Sequence, residues 1–208
     1  MAYRRTPAVQ ARLDAQAGSI VRAAMTVLSR DGFSGLSVAA VAAEAGVATG
    51  TVYKSFSGKA ELVTAVFREV VTREVAAVAE AGSATVMADA PDSPSARERV
   101  TAAVETFAGR ALKNPKLAYV LLAEPVDTAV DAERLRFRRA FAETFESAIA
   151  DGVATGQLPP QDPRTSATAL VGAIGEVLVG PLAEQLESES VVPELVAFAL
   201  RALGVPSE

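Results

Sequence analysis

The chain contains no histidine, no cysteine and no tryptophan. Without imidazole or thiolate there is no ordinary structural zinc site and no route to most transition-metal chemistry. A Ser-His-Asp or Cys-His nucleophile is equally excluded. No disulfide framework exists, so nothing points to an oxidising compartment. Aromatics make up only 5% of the residues, and alternating β-branched runs are scarce, which argues against a sheet protein. The N-terminal stretch MAYRRTPAVQAR lacks the apolar core of a signal peptide. The longest apolar-looking stretch, Ala167–Leu186, is interrupted by Gly172, Gly175, Glu176, Gly180 and Pro181. No membrane span is expected from it, and the chain reads as soluble and cytoplasmic.

What is present points to helices. Half of the 208 residues are hydrophobic, enough for a sizeable core, and 43 are alanine, the strongest helix former. The fold class expected is all-α with about nine helices. Charge is divided unevenly. The net charge is −5, yet residues 1–68 carry eight Lys/Arg against four acids, while the remainder carries 12 against 21. A basic head on an acidic body implies two working parts. The division expected is residues 1–58 as a basic head with an N-terminal arm, and 59–208 as an acidic helical body. Residues 59–80 form the connecting helix between them.

The head has the densest signals. Ile20, Ala24, Val27 and Leu28 give the stripe of an amphipathic helix from about Arg12 to Arg30. Asp31-Gly32 ends it, with Gly32 suited to the left-handed C′ position. Ser37 is a good N-cap for a short helix Val38–Glu44. Ala45-Gly46-Val47 is a tight turn, and a helix from about Ala48 to Phe56 follows. Two short helices around a Gly-containing turn make a helix-turn-helix. Ala42 supplies the small residue where the helices cross, and Gly46 a turn conformation that a Cβ resists. Val41, Ala45, Val47 and Val52 point inward. The outer face of the second short helix is Thr49, Gly50, Thr51, Lys54 and Ser55, short and polar with one cation, as a helix seated in the major groove requires.

The body reads as Gly82–Ser95, a loop, then helices near Ala96–Lys113, Pro115–Glu124, Asp131–Val153, Pro163–Leu186 and Val192–Leu203. Phe107, Tyr119, Leu122, Phe137 and Phe141 are candidate lining residues of a ligand pocket. Arg110, Glu124, Arg138 and Glu176 are charged residues within mostly apolar segments and are its candidate polar contacts. With both signs present, the ligand's charge stays open. Core packing is the competing role for each aromatic.

The stretch SVAAVAAEAGVATGTVYKSFSGKAELVTAVF resembles the DNA-binding domain of TetR/AcrR-type bacterial transcriptional regulators. The likeness covers about Arg12 to Phe67 and rests on the DGF turn, Ala42, Ala45-Gly46-Val47, Gly50-Thr51-Val52-Tyr53, Phe56, Lys59 and Leu62. One position departs: where the family often has a Ser before the recognition helix, this chain has Ala48. The resemblance implies that Tyr53 and Lys59 contact phosphates and that Ser37 makes a hydroxyl or backbone contact. It also implies that Thr49, Gly50, Thr51 and Lys54 read or flank bases, and that Arg4 and Arg5 form a basic arm on DNA. It further implies a homodimer, with Leu170, Ile174, Val177, Leu178, Leu182, Leu195, Ala199 and Leu203 supplying the interface. The function implied is ligand-responsive repression: a double-stranded palindromic operator, released by a small organic effector, with no cofactor, no membrane and no catalysis. Two alternatives stay open, a helical enzyme using carboxylate or lysine chemistry, and a small-molecule carrier whose helix-turn-helix is vestigial.

Overall fold

The computed structural model describes residues 6–83, 94–126, 128–185 and 190–205. Among these are nine helices and no strand: α1 Pro7–Gly35, α2 Val38–Glu44, α3 Thr49–Tyr53, α4 Lys59–Ser83, α5 Ala96–Lys113, α6 Pro115–Leu122, α7 Thr128–Ala154, α8 Pro163–Glu184 and α9 Val191–Ala202. Most of the loop expected at Gly82–Ser95, and the basic arm Arg4-Arg5, lie outside the described residues.

Local chemistry explains most boundaries. Regular α1 geometry breaks at Gly32, whose φ of 70° and ψ of −172° suit only glycine. The stretch to Gly35 is a further short turn rather than straight helix. The Ala40 N–H donates to the Ser37 hydroxyl at 3.0 Å and starts α2. Gly46 takes φ 66° in the turn. The Thr165 N–H donates to Asp162 at 2.7 Å, with Pro163 at the first position of α8. Ala48 offers α3 no side-chain cap. That helix is shorter than its sequence suggests, because the chain tightens into a turn between Lys54 and Phe56.

Two apolar clusters form the interior. The first joins Ile20, Val27, Leu28, Val41, Val52 and Phe56 to α4 through Leu62, Val66, Phe67 and Val70. It also takes in Leu117, Val120 and Leu121 of α6, so α6 is packed into the head. The second cluster gathers Val100 and Val104 of α5, Phe137, Phe141, Phe145 and Ile149 of α7, and the large apolar residues of α8 and α9. Val78 near the end of α4 belongs to this second cluster. α4 is thus shared by both cores, as are α6 through Ala118 and α7 through Val130. Across it, Arg68 donates to Glu133 of α7 at 2.7 Å, and Arg136 holds the same carboxylate at 2.8 Å.

α8 requires two corrections. Glycine and alanine do not lower apolarity enough to disqualify it, so by length and composition alone it is long enough to cross a membrane. Its Ala167, Leu170, Ile174, Leu178 and Leu182 are nonetheless buried in the protein's own core. The same burial overturns most of the expected dimer surface. Leu170, Ile174, Leu178, Leu182, Leu195, Ala199 and Leu203 are each at most 2% exposed within one protomer. Of that set only Val177 faces outward, at 49%. The physical reason is size. The bulky residues fill the core, and the outward stripe of α8 is Ala169, Gly172, Glu176, Val177 and Gly180.

Packing is tight where α7 ends. A Cβ added at Gly152 would lie 2.7 Å from the Ala96 Cβ and 2.8 Å from Leu158 Cδ1. Gly152→Ala is expected to cost ~1–3 kcal/mol through overpacking, read as a lower melting temperature with unchanged helix content.

Candidate nucleic-acid interface and effector cavities

The helix-turn-helix presents one face to solvent. Val52 is fully buried and Phe56 nearly so, which fixes the rotation of α3. Thr49, Gly50 and Lys54 are then exposed, Thr51 half-buried, and Tyr53 is 55% exposed. Nothing lies within 4 Å of a Cβ built on Gly50, so this face can approach another surface closely. Ser37 is exposed while capping α2.

Lys59 sits differently. Its Nζ donates to the Phe33 carbonyl at 2.7 Å and lies 3.9 Å from the centre of the Phe33 ring. Burial lowers its pKa, and the Glu124 carboxylate partly opposes that. An ammonium has three donors, so one taken by Phe33 leaves N–H groups for a phosphate.

Glu124 is not a pocket residue. α6 stops at Leu122, and the chain bends at Ala123 (φ −136°). Glu124 therefore turns toward α1, where its Oε2 accepts the Phe33 N–H at 3.3 Å. The other end of α6 is tied to the same helix. Asn114 Nδ2 donates to Ser29 Oγ at 3.0 Å, and Lys116 Nζ to the Arg30 carbonyl at 2.8 Å. From the opposite side, Arg134 of α7 donates to the carbonyls of Val120 (3.0 Å), Leu121 (2.9 Å) and Glu124 (2.8 Å). The first two are acceptors that the C-terminus of α6 leaves unpaired, and the third lies just beyond it. Burial lowers the Arg134 pKa, while Asp131 opposes and Arg138 adds to the lowering. It remains charged, as guanidinium does in proteins.

α6 also borders a cavity of about 230 Å³, lined by its Leu117, Leu121 and Leu122 and by Val70, Phe107 and Phe137. Arg73, Glu74, Arg110 and Lys113 stand among its lining residues. Glu74 pairs with Arg110 through both carboxylate oxygens and with Arg73 at 3.1 Å. Burial raises the Glu74 pKa, but the hydrogen bonds and charges of Arg110 and Arg73 outweigh it and hold the carboxyl below its ordinary value. A second cavity of about 220 Å³ lies between α7 and α8. Phe141, Phe145, Arg138, Val171, Ile174 and Glu176 line it, and it shares Phe107, Leu122 and Phe137 with the first.

Of the nine expected pocket residues, Phe107, Arg110, Leu122, Phe137, Arg138, Phe141 and Glu176 line one cavity or the other. Tyr119 lines neither and packs against the body core instead. Sequence reading missed Arg73, Glu74 and Lys113. The first two lie on α4, whose sequence pattern displays only its apolar stripe. Its polar side meets α5 through Glu74 and Arg110. Among the described residues no cluster of acidic side chains is placed to hold a metal ion.

Comparison with known proteins agrees with this architecture. The family profile described as "Bacterial regulatory proteins, tetR family" matches residues 20–66. A second, described as "Tetracyclin repressor-like, C-terminal domain", matches residues 93–178. No curated protein matches the sequence. Among solved structures, a fatty acid degradation regulator FadR from Bacillus halodurans superposes with a TM-score of 0.74 at 20% identity, covering 95% of this chain and 96% of its own. FadR from Bacillus subtilis, solved with stearoyl-CoA, gives 0.75 at 17% identity, covering 91% and 99%. A TetR transcription regulator from Haloarcula marismortui gives 0.76 at 16%, covering 92% and 97%. These likenesses speak to the fold, and the two profiles speak to the lineage: the chain belongs to the TetR family of bacterial regulatory proteins.

Proposed function

We propose that this regulator is a homodimeric cytoplasmic repressor that leaves a palindromic operator when a small organic effector occupies its helical body. The carrying observation is α6, which borders the first cavity with one side and holds α1 of the DNA-binding head with the other. The division we favour is residues 1–58 for DNA and 59–208 for effector and dimer, with α4 contributing to both cores. Thr49, Gly50, Thr51 and Lys54 meet base edges or flank them, while Ser37, Tyr53, Lys59 and the arm Arg4-Arg5 meet the backbone. Two such heads reach half-sites separated by one or more helical turns of ~34 Å. The protein acts by binding, not by catalysis. Carriage without DNA recognition is disfavoured by an α3 face that is exposed, small and polar together.

The effector shifts populations by no more than its difference in affinity for the DNA-competent and incompetent states. A ligand in the first cavity presses on Leu117 and Leu121, and the ties at Asn114, Lys116 and Glu124 pass any displacement to α1. Glu124→Ala is expected to leave effector affinity for the free protein within about twofold. It should cut the effector-induced loss of operator binding several-fold, since the bond to a charged group carries ~1.5–3 kcal/mol. Isothermal titration and gel shift on the same variant check both halves.

DNA contact itself is tested by affinity for the promoter beside its own gene, measured against salt. Tyr53→Phe and Lys59→Ala should each weaken binding, and Lys59→Ala should flatten the salt slope by about one phosphate's worth. Unchanged affinity and slope in both variants would remove the phosphate-contact assignment.

A further inference from the structure

The two cavities share part of their lining. Phe107, Leu122 and Phe137 line both. Phe107 and Phe141 lie 4.6 Å apart between ring centres, as do Phe137 and Phe141, and Phe107 and Phe137 lie 6.3 Å apart. These rings come from two helices, and Phe137 and Phe141 are one turn apart on α7. A cluster of tilted and edge-on rings reorganises by turning about side-chain bonds, without moving backbone. Neither cavity alone, at about 230 and 220 Å³, reaches the ~300 Å³ at which small-molecule sites usually begin, while the two together pass it.

Charge gives the joined space a direction. The first cavity carries Arg73, Arg110 and Lys113 against the single carboxylate of Glu74. Arg73 and Arg110 are 54% and 40% exposed at their side chains, so these cations stand at a mouth. The second cavity has one charge of each sign, Arg138 and Glu176, and is otherwise walled by Phe145, Val171, Ile174 and Val179. Resting on the reading of these cavities as the effector site, we propose that they are two halves of one channel for a single-chain amphiphile. Its anionic head lies at Arg73, Arg110 and Lys113, and its alkyl chain passes the three phenylalanines into the second cavity. A head bearing negative charge competes with Glu74 for Arg110 and Arg73. The Glu74 clamp between α4 and α5 is therefore open in the filled state and closed in the empty one. The anionic head has two chemical sources, a free carboxylate and a phosphate-bearing thioester, and both satisfy the same cations.

The experiment is isothermal titration of the full chain with straight-chain fatty acids from butanoate to hexadecanoate and with their coenzyme A thioesters. Alkyl trimethylammonium ions of matching length serve as charge controls. Affinity should rise about threefold to fourfold per methylene beyond the length that fills the first cavity. The cationic series should bind at least tenfold more weakly. Val171→Phe, which fills the second cavity from a half-exposed position, should leave short chains unaffected and end the rise early. Arg73→Gln combined with Lys113→Gln should weaken every length by a similar factor and leave the slope intact. Tighter binding by the acid or by the thioester identifies the head, and either result supports the channel. An affinity that levels off at short chains in the unaltered protein overturns it, as does equal binding of the cationic series. Operator release separates this proposal from the effector reading. Chains that bind with the expected length dependence but never release DNA leave the channel standing and remove its role as effector site. Release by a compact or cationic compound, with no binding of amphiphiles, does the reverse.

Discussion

Val177→Arg is expected to give a folded monomer whose operator affinity has fallen by about 10²–10⁴-fold. The size follows from linkage. Two heads joined in one dimer bind the second half-site at a high effective concentration, and separate heads lose that gain without losing any contact. The position follows from packing. Val177 is 49% exposed on α8, and Phe198 on α9 is 41% exposed, so the outer face of each of these two helices carries a large apolar side chain that the core leaves uncovered. Gly172 and Gly180 on the same stripe have nothing within 4 Å of an added Cβ, which leaves room for a partner helix to approach. In a two-fold interface one patch meets itself, so a single substitution puts charge on both sides. Because the Val177 side chain points away from the protomer core, circular dichroism and melting should change little. Leu178→Arg is the contrast: Leu178 is fully buried in the protomer, and its replacement should unfold the chain. Sedimentation and gel shift on the two variants distinguish dissociation from misfolding.

Arg134→Met is expected to lower stability by ~2–4 kcal/mol, a fall in melting temperature of roughly 4–16 °C for a chain of this size. Methionine keeps most of the apolar stem but leaves the carbonyls of Val120, Leu121 and Glu124 without their shared donor. Unpaired buried acceptors cost the full desolvation penalty. The functional effect should exceed what stability alone brings. Once its C-terminus frays, α6 no longer passes a push from the cavity to Glu124 and Phe33. Operator binding without effector should therefore survive at low temperature while the effector response is largely lost. Arg134→Lys tests the geometry, since one ammonium cannot reproduce the planar fork that reaches three carbonyls.

The head was legible in the sequence because its signals are local. Ser37, Ala42, Gly46 and Val52 each answer a backbone or packing requirement within a few residues and take the expected role, whereas Gly32 breaks α1 at a positive φ with ψ −172° rather than as the left-handed cap expected. The body was legible as helices but less so as surfaces. A helix apolar on most sides has several candidate stripes, and periodicity cannot say which one faces a partner. In α8 the bulky stripe Leu170, Ile174, Leu178 and Leu182 went inward, and the small-residue stripe was left outside. The cavities were half legible. Phe107, Phe137 and Phe141 declare themselves because aromatics are so few in this chain. Arg73 and Glu74 do not, because their meaning depends on Arg110, 36 residues away in sequence from Glu74. Glu124 was misplaced for a similar reason: only the bend after Leu122 sends it to α1.

The missing histidine and cysteine gain a sharper meaning in this setting. A family member without them senses through shape, apolar surface and polar or charged contacts, and the cavities offer apolar walls with carboxylates, cations and the Asn114 amide. The −5 net charge likewise conceals a division, since the basic residues needed for phosphate lie in the first 68 positions.

The most direct test of the central claim is reciprocal titration: operator affinity with and without saturating effector, and effector affinity with and without operator. Coupling through the structure requires the two ratios to be equal, and the account predicts a common value of at least tenfold, collapsing toward unity in Glu124→Ala. Operator binding that is tight, salt-dependent and the same with both cavities filled would contradict it.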